Sequence, residues 1–156
     1  MLDGKESVRP ATADDAAELA EIEQACFAIP WSFESLQHDL SANPAAHYWV
    51  IAAANGRLAG YAAYWQVMDE AQITNIAVLP AYRRRGFGRR LMRQMMMQAA
   101  SDHLTHMVLE VRQSNQAARS LYESEGFLPV GLRRGYYADN GESAITMLKI
   151  VGKNDV

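Results

Sequence analysis

The sequence has little of what would mark it as secreted, membrane-spanning or disordered. It contains one cysteine, Cys26, which cannot form a disulfide within the chain, and its apolar runs fall short of the ~18 residues that a bilayer span needs. Hydrophobic residues make up 49% of the 156 positions, whereas a disordered chain would have few. The first ten residues mix acids with bases, so we expect no signal peptide. Together these features predict a cytoplasmic protein without a membrane partner.

An excess of positive charge is also absent. The formal net charge is −3, which argues against broad, non-specific binding of nucleic acid. No long linker, low-complexity tract or internal repeat divides the chain. We therefore predict a single domain over residues 1–156, with a core of about 6–151, that acts as a monomer and does not bind nucleic acid directly.

The hydrophobic period changes along the chain in a way that predicts an α/β (α+β) fold. Helical spacing occurs over 13–27, 33–40, 87–100 and 115–125, and strand-like segments lie at 6–9, 48–53, 58–67, 72–79, 104–111, 127–132 and 144–150. Thr12, Ser32 and Ser114 are placed to cap helices, and Gly126 to end the last one. The order β-α-α-β-β-β-α-β-α-β-β favours a mixed central sheet of about seven strands flanked by four helices.

The most informative segment is the basic turn RRRGFGRR at residues 83–90, between a predicted strand and the third helix. Gly86 and Gly88 would let the backbone approach a phosphate, beside the unpaired N–H groups of the helix start and several arginines. The dinucleotide fingerprint fails because Leu91 stands where a third glycine is needed, and a P-loop is absent as well. The alternative is a solvated basic turn that only starts a helix.

The turn and several other segments resemble the GNAT family of N-acetyltransferases. Arg-x-x-Gly-x-Gly at 83–88, after ITNIAVLPAY at 73–82, is similar to the acetyl-CoA loop of that family. Further segments resemble the subfamily that acetylates the N-terminal alanine of a ribosomal protein, namely PWS at 30–32, LEVRQSN at 109–115, LYESEGF at 121–127 and RRGYY at 133–137. The resemblance covers almost the whole chain.

The resemblance implies that the chain binds acetyl-CoA. Ile76, Ala77 and Val78 would line the pantetheine, and a backbone N–H near Ala77 or Val78 would polarise the thioester carbonyl. Asn115 would contact coenzyme A. The residues that would hold the diphosphate are Arg84, Arg85, Gly86, Phe87, Gly88 and Arg89.

Acetyl transfer to an amine needs a neutral nucleophile, and a free α-amine, with a pKa of ~7.7–8.0, demands less of a base than a lysine at ~10.4. Glu110 is the candidate base, directly or through one water, because it ends a predicted strand on the face opposite Met107 and Leu109. Tyr122 follows Asn115 by seven residues and projects within ~20° of it on one helix face. The resemblance implies that Tyr122 protonates the departing thiolate. The alternatives are a surface glutamate and an ordinary packed tyrosine.

The resemblance also implies an acceptor groove lined by Trp31, Tyr136 and Tyr137, although plain hydrophobic packing is the alternative for all three. The subfamily tends to carry an acid where this chain has Ser143, which bears on acceptor preference. Cys26 lies at the helical core period and is expected to be a small buried apolar group. The histidines show no ligand spacing, so no metal is predicted.

The function that the resemblance implies is acetyl-CoA-dependent Nα-acetylation by direct transfer, with the N-terminal alanine of a small-subunit ribosomal protein as acceptor. One alternative is the same fold acting on other protein N-termini, on lysine or on a small amine. A second alternative is a non-catalytic acyl-CoA-binding module. Such a module would need only the loop, whereas this chain also carries Glu110, Tyr122 and Asn115.

Overall fold

The structure, a computed structural model, describes residues 6–151. Positions 1–5, on which part of the signal-peptide expectation depends, lie outside the described residues. The strands are β1 Val8–Pro10, β2 Ala46–Ala52, β3 Leu58–Val67, β4 Glu70–Val78, β5 His106–Arg112, β6 Leu128–Arg133 and β7 Ala144–Ile150. The helices are α1 Ala16–Cys26, α2 Phe33–Ala42, α3 Phe87–Ser101 and α4 Gln116–Ser124, and short 3₁₀ turns precede α1 and α3.

The strands form one seven-stranded sheet in the order β1-β2-β3-β4-β5-β7-β6. Neighbouring strands are antiparallel except β4 and β5, whose parallel pairing covers only Glu70–Gln72 and His106–Val108. The two strands separate beyond that point, so the second half of β4 pairs only with β3. The predicted class, a mixed sheet flanked by four helices, is confirmed.

Successive side chains of the strands pack alternately into two hydrophobic cores, one on each face of the sheet. On β2, Trp49 and Ile51 pack into the core under α3, whereas Tyr48 and Val50 pack into the core under α1 and α2. A sheet buried on both faces keeps its strands in a fixed register. Between residues 6 and 151, no helix is both long and apolar enough to cross a bilayer.

The structure corrects two local predictions. Ser114 does not cap α4: its backbone N–H donates to Glu142 Oε2 at 2.7 Å, so it belongs to the preceding loop. Asn115 is the N-cap instead, and its side-chain oxygen accepts from the backbone N–H of Ala118 at 3.2 Å. The start of β5 was also placed too early, because Leu104 lies before the strand. Gly126 follows α4 with φ +98°, as the prediction of a glycine stop requires.

Candidate active site

A cavity of about 740 Å³ lies where β4 separates from β5. Its walls come from the end of β4, the basic turn and one face of α4 from Asn115 to Tyr122, together with the end of α1. The predicted residues in its lining are Ile76, Ala77, Val78, Arg84, Gly86, Phe87, Gly88, Arg89, Asn115 and Tyr122. The fold therefore brings most of the predicted cofactor residues to one cavity. Arg85 and Glu110 are outside its lining.

The start of α3 presents unpaired backbone donors to this cavity. Gly86 is the N-cap, in the left-handed region with φ +78°, and no side chain caps the helix. The first N–H groups of a helix have no acceptor within it, and they sit at the positive end of the helix dipole. Arg84 also has a positive φ of +65°, which turns the loop sharply. This geometry fits an anionic group such as a diphosphate.

Most arginines of the turn are already engaged with the protein. The Nε of Arg83 donates to the backbone oxygen of Val78 at 2.8 Å, and the Arg85 guanidinium lies 5.4 Å from the ring centroid of Tyr82. Arg90 donates to the backbone oxygen at position 6 at 2.6 Å. These contacts hold the turn in place, so the charge of these side chains has a structural role.

Arg89 also has a protein partner, because its guanidinium pairs with Glu125 at the end of α4. Arg93, one turn further along α3, donates to the same carboxylate at 3.2 Å. Burial works to raise the pKa of Glu125, but its hydrogen bonds with the two arginines hold that pKa below its ordinary value. The ion pairs tie the first turns of α3 to the end of α4, and both helices contribute residues to the cavity wall.

Arg84 is the exception in the turn. It lines the cavity, and its guanidinium has no hydrogen bond, ion pair or ring contact with any residue between 6 and 151. Among the turn arginines it is therefore the one whose charge is available to a ligand.

Cys26 and Phe27, at the end of α1, are among the residues of the cavity wall that sequence reasoning missed. Cys26 packs against the core under α1 and α2, as its helical position predicts, but it is half-buried instead of buried, and its thiol lies 3.5 Å from the backbone oxygen of Val78. Burial raises the pKa of the Cys26 thiol. A neutral thiol is a poor nucleophile, so Cys26 shapes the wall between α1 and β4.

Helix α4 supplies the opposite wall. Asn115, Ala118 and Tyr122 share the face that lines the cavity, as their spacing predicts. Tyr122 is only 9% exposed, and its hydroxyl has no hydrogen bond to any other described residue. Burial raises the pKa of Tyr122 above its ordinary value, so the phenol keeps its proton at neutral pH.

Glu110 lies in a second, smaller concavity of about 240 Å³. It shares this space with Glu70, Gln72 and Arg133, on the face of β5 opposite the buried Leu109. Its Oε2 lies 3.6 Å from Nη1 of Arg133 and 3.4 Å from the hydroxyl of Thr146. The predicted face of β5 is confirmed, and the carboxylate is half-buried.

Tyr137 is electrostatically coupled to both candidate catalytic groups. Its ring centroid is 4.0 Å from the guanidinium carbon of Arg112, at the end of β5, and its hydroxyl is within electrostatic range of both Glu110 and Tyr122. Burial, opposed by Arg112, raises the pKa of Tyr137 to about 12. Arg112 also pairs with Asp139 at 2.8 Å, which fastens the β6–β7 loop over the end of β5.

The other predicted acceptor residues lie outside the large cavity. The half-buried Trp31 packs edge-on against Trp65, with ring centroids 6.0 Å apart. Tyr136 is 46% exposed and packs against Arg133 and Tyr137. Within residues 6–151, no group of three or more His, Cys, Asp or Glu side chains is placed to hold a metal ion.

Gly60 of β3 is another residue that sequence reasoning missed. A Cβ there would lie 2.5 Å from the backbone oxygen of Ala77, closer than real Cβ contacts. Glycine therefore allows β3 to approach the segment of β4 that lines the cavity. The available signal was an isolated glycine inside a strand pattern, which is typical of a close backbone approach.

Comparison with known proteins agrees with this geometry. Residues 16–127 match the Acetyltransferase (GNAT) family. The chain belongs to this family and is an N-acetyltransferase.

Individual relatives are similar over nearly the whole chain. A Bacillus subtilis protein, provisionally named ribosomal protein bS18-alanine N-acetyltransferase, is 44% identical over 143 residues, which cover 92% of this chain and 94% of that protein. The N-alpha-acetyltransferase RimI of Mycobacterium tuberculosis is 40% identical over 147 residues, 90% of each chain. The crystal structure of the ribosomal-protein-S18-alanine N-acetyltransferase from Escherichia coli superposes with a TM-score of 0.86 at 34% identity, covering 96% of this chain and 97% of that one.

Proposed function

We propose that this chain transfers the acetyl group of acetyl-CoA to the α-amine of the N-terminal alanine of ribosomal protein bS18. The names and high coverage of its relatives support this acceptor. One observation supports the chemistry: a protonated phenol, Tyr122, lines the large cavity, a carboxylate, Glu110, lines the smaller concavity, and Tyr137 is within electrostatic range of both.

Acetyl-CoA would supply the thioester. The backbone N–H groups at Gly86, Phe87 and Gly88 would hold its diphosphate, with Arg84 contributing the available guanidinium. The edge of β4 at Ile76–Val78, which does not pair with β5, would align the pantetheine, and a backbone N–H there would polarise the carbonyl. Asn115 uses its side-chain oxygen to cap α4, which leaves its amide N–H₂ for a contact with coenzyme A.

Glu110 would accept the proton of the acceptor amine, directly or through one water. An α-amine with a pKa of ~7.7–8.0 is about one-tenth neutral at pH 7, so the reaction does not require a strong base. Arg133 pairs with the carboxylate at 3.6 Å and is more than half exposed, so it can move aside when the acceptor enters.

Tyr122 would donate its proton to the sulfur of the departing thiolate. Its raised pKa keeps the proton available throughout the neutral range, and its hydroxyl forms no hydrogen bond within residues 6–151 that would compete. Trp31, Tyr136 and Tyr137 would line the path of the acceptor peptide. Of these three, Tyr137 is the one with electrostatic interactions with both Glu110 and Tyr122.

The remaining expectations belong to the same proposal. A monomer with one domain would act in the cytoplasm, where ribosomal proteins are made, and would contact the N-terminal segment of its partner without binding nucleic acid directly. The proposed transfer uses no metal ion.

Mass spectrometry of peptides incubated with acetyl-CoA and the protein tests the proposal. Three peptides are compared: the bS18 N-terminus with a free alanine, the same peptide with its α-amine blocked, and one whose only free amine is a lysine. We expect one acetyl group on the first peptide alone. Acetylation of lysine only, or no transfer to any peptide while coenzyme A still binds, would refute the proposed acceptor. Glu110→Gln, matched by Glu123→Gln on the exposed side of α4, tests the base.

A further inference from the structure

The segment between α1 and α2, residues 27–32, carries Trp31 and is mostly exposed. Within it, the backbone N–H of Trp31 donates to Oε1 of Glu23 at 2.7 Å. The two end residues of the segment, Phe27 and Ser32, form hydrogen bonds with the helices next to them. Glu23 lies on α1 and is fully buried. A side chain of α1 thus anchors the backbone of the following segment at Trp31.

The second oxygen of Glu23 reaches the central sheet. Oε2 accepts from the hydroxyl of Tyr61 at 2.5 Å and from Nδ2 of Asn75 at 2.8 Å. Asn75 directly precedes Ile76, which lines the large cavity. One buried carboxylate therefore joins the Trp31 segment to the strand that borders the proposed cofactor site.

A second buried carboxylate holds the ring of Trp31 indirectly. Oδ2 of Asp39, on α2, accepts from Nε1 of Trp65 at 2.9 Å and from the hydroxyl of Tyr48 at 2.6 Å. Trp65 in turn meets the Trp31 ring at 81°. Since the Tyr48 ring stacks on that of Tyr61 with centroids 5.9 Å apart, the contacts form a closed circuit through Glu23 and Asp39.

Both carboxylates are buried without a hydrogen bond to lysine or arginine among the described residues. Burying charge in this way is costly, and hydrophobic residues could fill the same volume. The carboxylates fix the orientation of the groups around them, because they accept hydrogen bonds from specific donors. Burial raises the pKa of Tyr48 and of Tyr61, so both hydroxyls remain donors at physiological pH.

We propose that Glu23 and Asp39 are positioning residues for the acceptor: Glu23 holds the backbone of Trp31, Asp39 holds its ring through Trp65, and together they fix one wall of the acceptor groove. This inference rests on the proposed function, which places the acceptor peptide along Trp31. Neither carboxylate needs to touch the substrate. Each acts through the tryptophan.

Glu23→Gln is the direct test. Both oxygens of Glu23 accept hydrogen bonds, so in either orientation the glutamine N–H₂ group would face a donor and one of these hydrogen bonds would be lost. We expect the KM for the alanine peptide to rise about tenfold, equivalent to about 1.4 kcal/mol, while the KM for acetyl-CoA changes less than twofold. Glu18→Gln is the matched control, since Glu18 lies on the same helix and accepts from one backbone N–H, that of Leu58, which a glutamine oxygen can keep. It should leave both KM values unchanged.

Asp39→Asn provides a second route should Glu23→Gln fold poorly. It should raise the acceptor KM by a smaller factor, because it reaches Trp31 through a ring contact. Equal increases in both KM values, or a lower Tm with unchanged acceptor KM, would show a merely structural role and overturn the proposal.

A measurement on the protein alone, without an acceptor peptide, tests this inference independently of the proposed function. Acrylamide quenching of tryptophan fluorescence should increase in Glu23→Gln and stay at the wild-type level in Glu18→Gln. Trp49 is only 4% exposed, so the change would come from Trp31 and from Trp65, whose ring packs against that of Trp31. If wild-type protein acetylates no alanine peptide, the proposed function fails, and unchanged quenching would separately refute the anchoring of Trp31.

Discussion

Replacing Tyr122 by phenylalanine should separate catalysis from stability more cleanly than any other change in this site. The substitution keeps the ring, which packs against Phe127 with centroids 6.2 Å apart, and removes only the hydroxyl. That hydroxyl has no hydrogen bond within residues 6–151. No buried partner is left unsatisfied, so the free energy of unfolding should change by less than about 0.5 kcal/mol, or about 2 °C in Tm.

The catalytic effect should be much larger. General acids contribute roughly 10²–10⁴-fold, and a thiol with a pKa near ~8.5 leaves readily, so we expect the low end. A loss of about 10²-fold in kcat corresponds to about 2.7 kcal/mol of transition-state stabilisation. Because the pKa of Tyr122 is raised, its ionisation should produce no fall in kcat between pH 7 and 9.

Thiol release from acetyl-CoA, followed with a chromogenic disulfide, measures this kcat, and thermal unfolding measures the stability. Tyr64→Phe is the matched control, because the Tyr64 hydroxyl is also buried without a hydrogen-bond partner but lies away from the cavity. It should leave kcat unchanged and Tm equal or slightly higher. A kcat within twofold of wild type for Tyr122→Phe would refute the assignment of the general acid.

Three further changes test the rest of the site. Arg84→Ala should weaken acetyl-CoA binding about tenfold by calorimetry without altering Tm, whereas Arg85→Ala, which loses only a ring contact, should have a smaller effect on binding. Gly60→Ala should lower Tm by roughly 5 °C or more and weaken acetyl-CoA binding, whereas Gly131→Ala, whose Cβ would meet nothing closer than 3.8 Å, should be tolerated. Because the pKa of Glu125 is lowered in the folded protein, the ionised carboxylate stabilises the fold above pH ~4.3, and this stabilisation is lost as the pH falls through the lowered pKa. Glu125→Gln should therefore reduce Tm at pH 7 and make Tm fall less between pH 5 and pH 3 than it does in the wild type.

Local patterns predicted the elements because each depends on neighbours in the chain. Apolar residues at helical spacing located α3, and the seven-residue separation of Asn115 and Tyr122 put both on the cavity wall. The cap of α4 was placed one residue early because Ser114 and Asn115 are both good capping residues. What separates them is the contact of Ser114 with Glu142, 28 residues away, which no local pattern contains.

The parts that sequence reasoning missed all depend on contacts between distant segments. Glu23 and Asn75 are 52 residues apart, and nothing in the helical period of α1 distinguishes a buried glutamate from an exposed one. Cys26 followed the core period correctly but lies at the end of α1, where the sheet opens, so it lines a cavity. Periodicity indicates which face of an element is inward; it does not indicate where the interior is left open.

The basic turn shows that a charge pattern in the sequence does not reveal which of its charges are engaged within the protein. The resemblance makes Arg84, Arg85 and Arg89 candidates for the diphosphate. In the structure Arg85 and Arg89 are held by protein groups, and of the three only Arg84 lines the cavity without a partner among residues 6–151. Ordering long side chains at the moment of binding has an entropic cost, which a turn already fixed by its own arginines avoids. Most of the charge therefore stabilises the shape of the turn, and the backbone N–H groups that this shape exposes, together with Arg84, would provide the recognition.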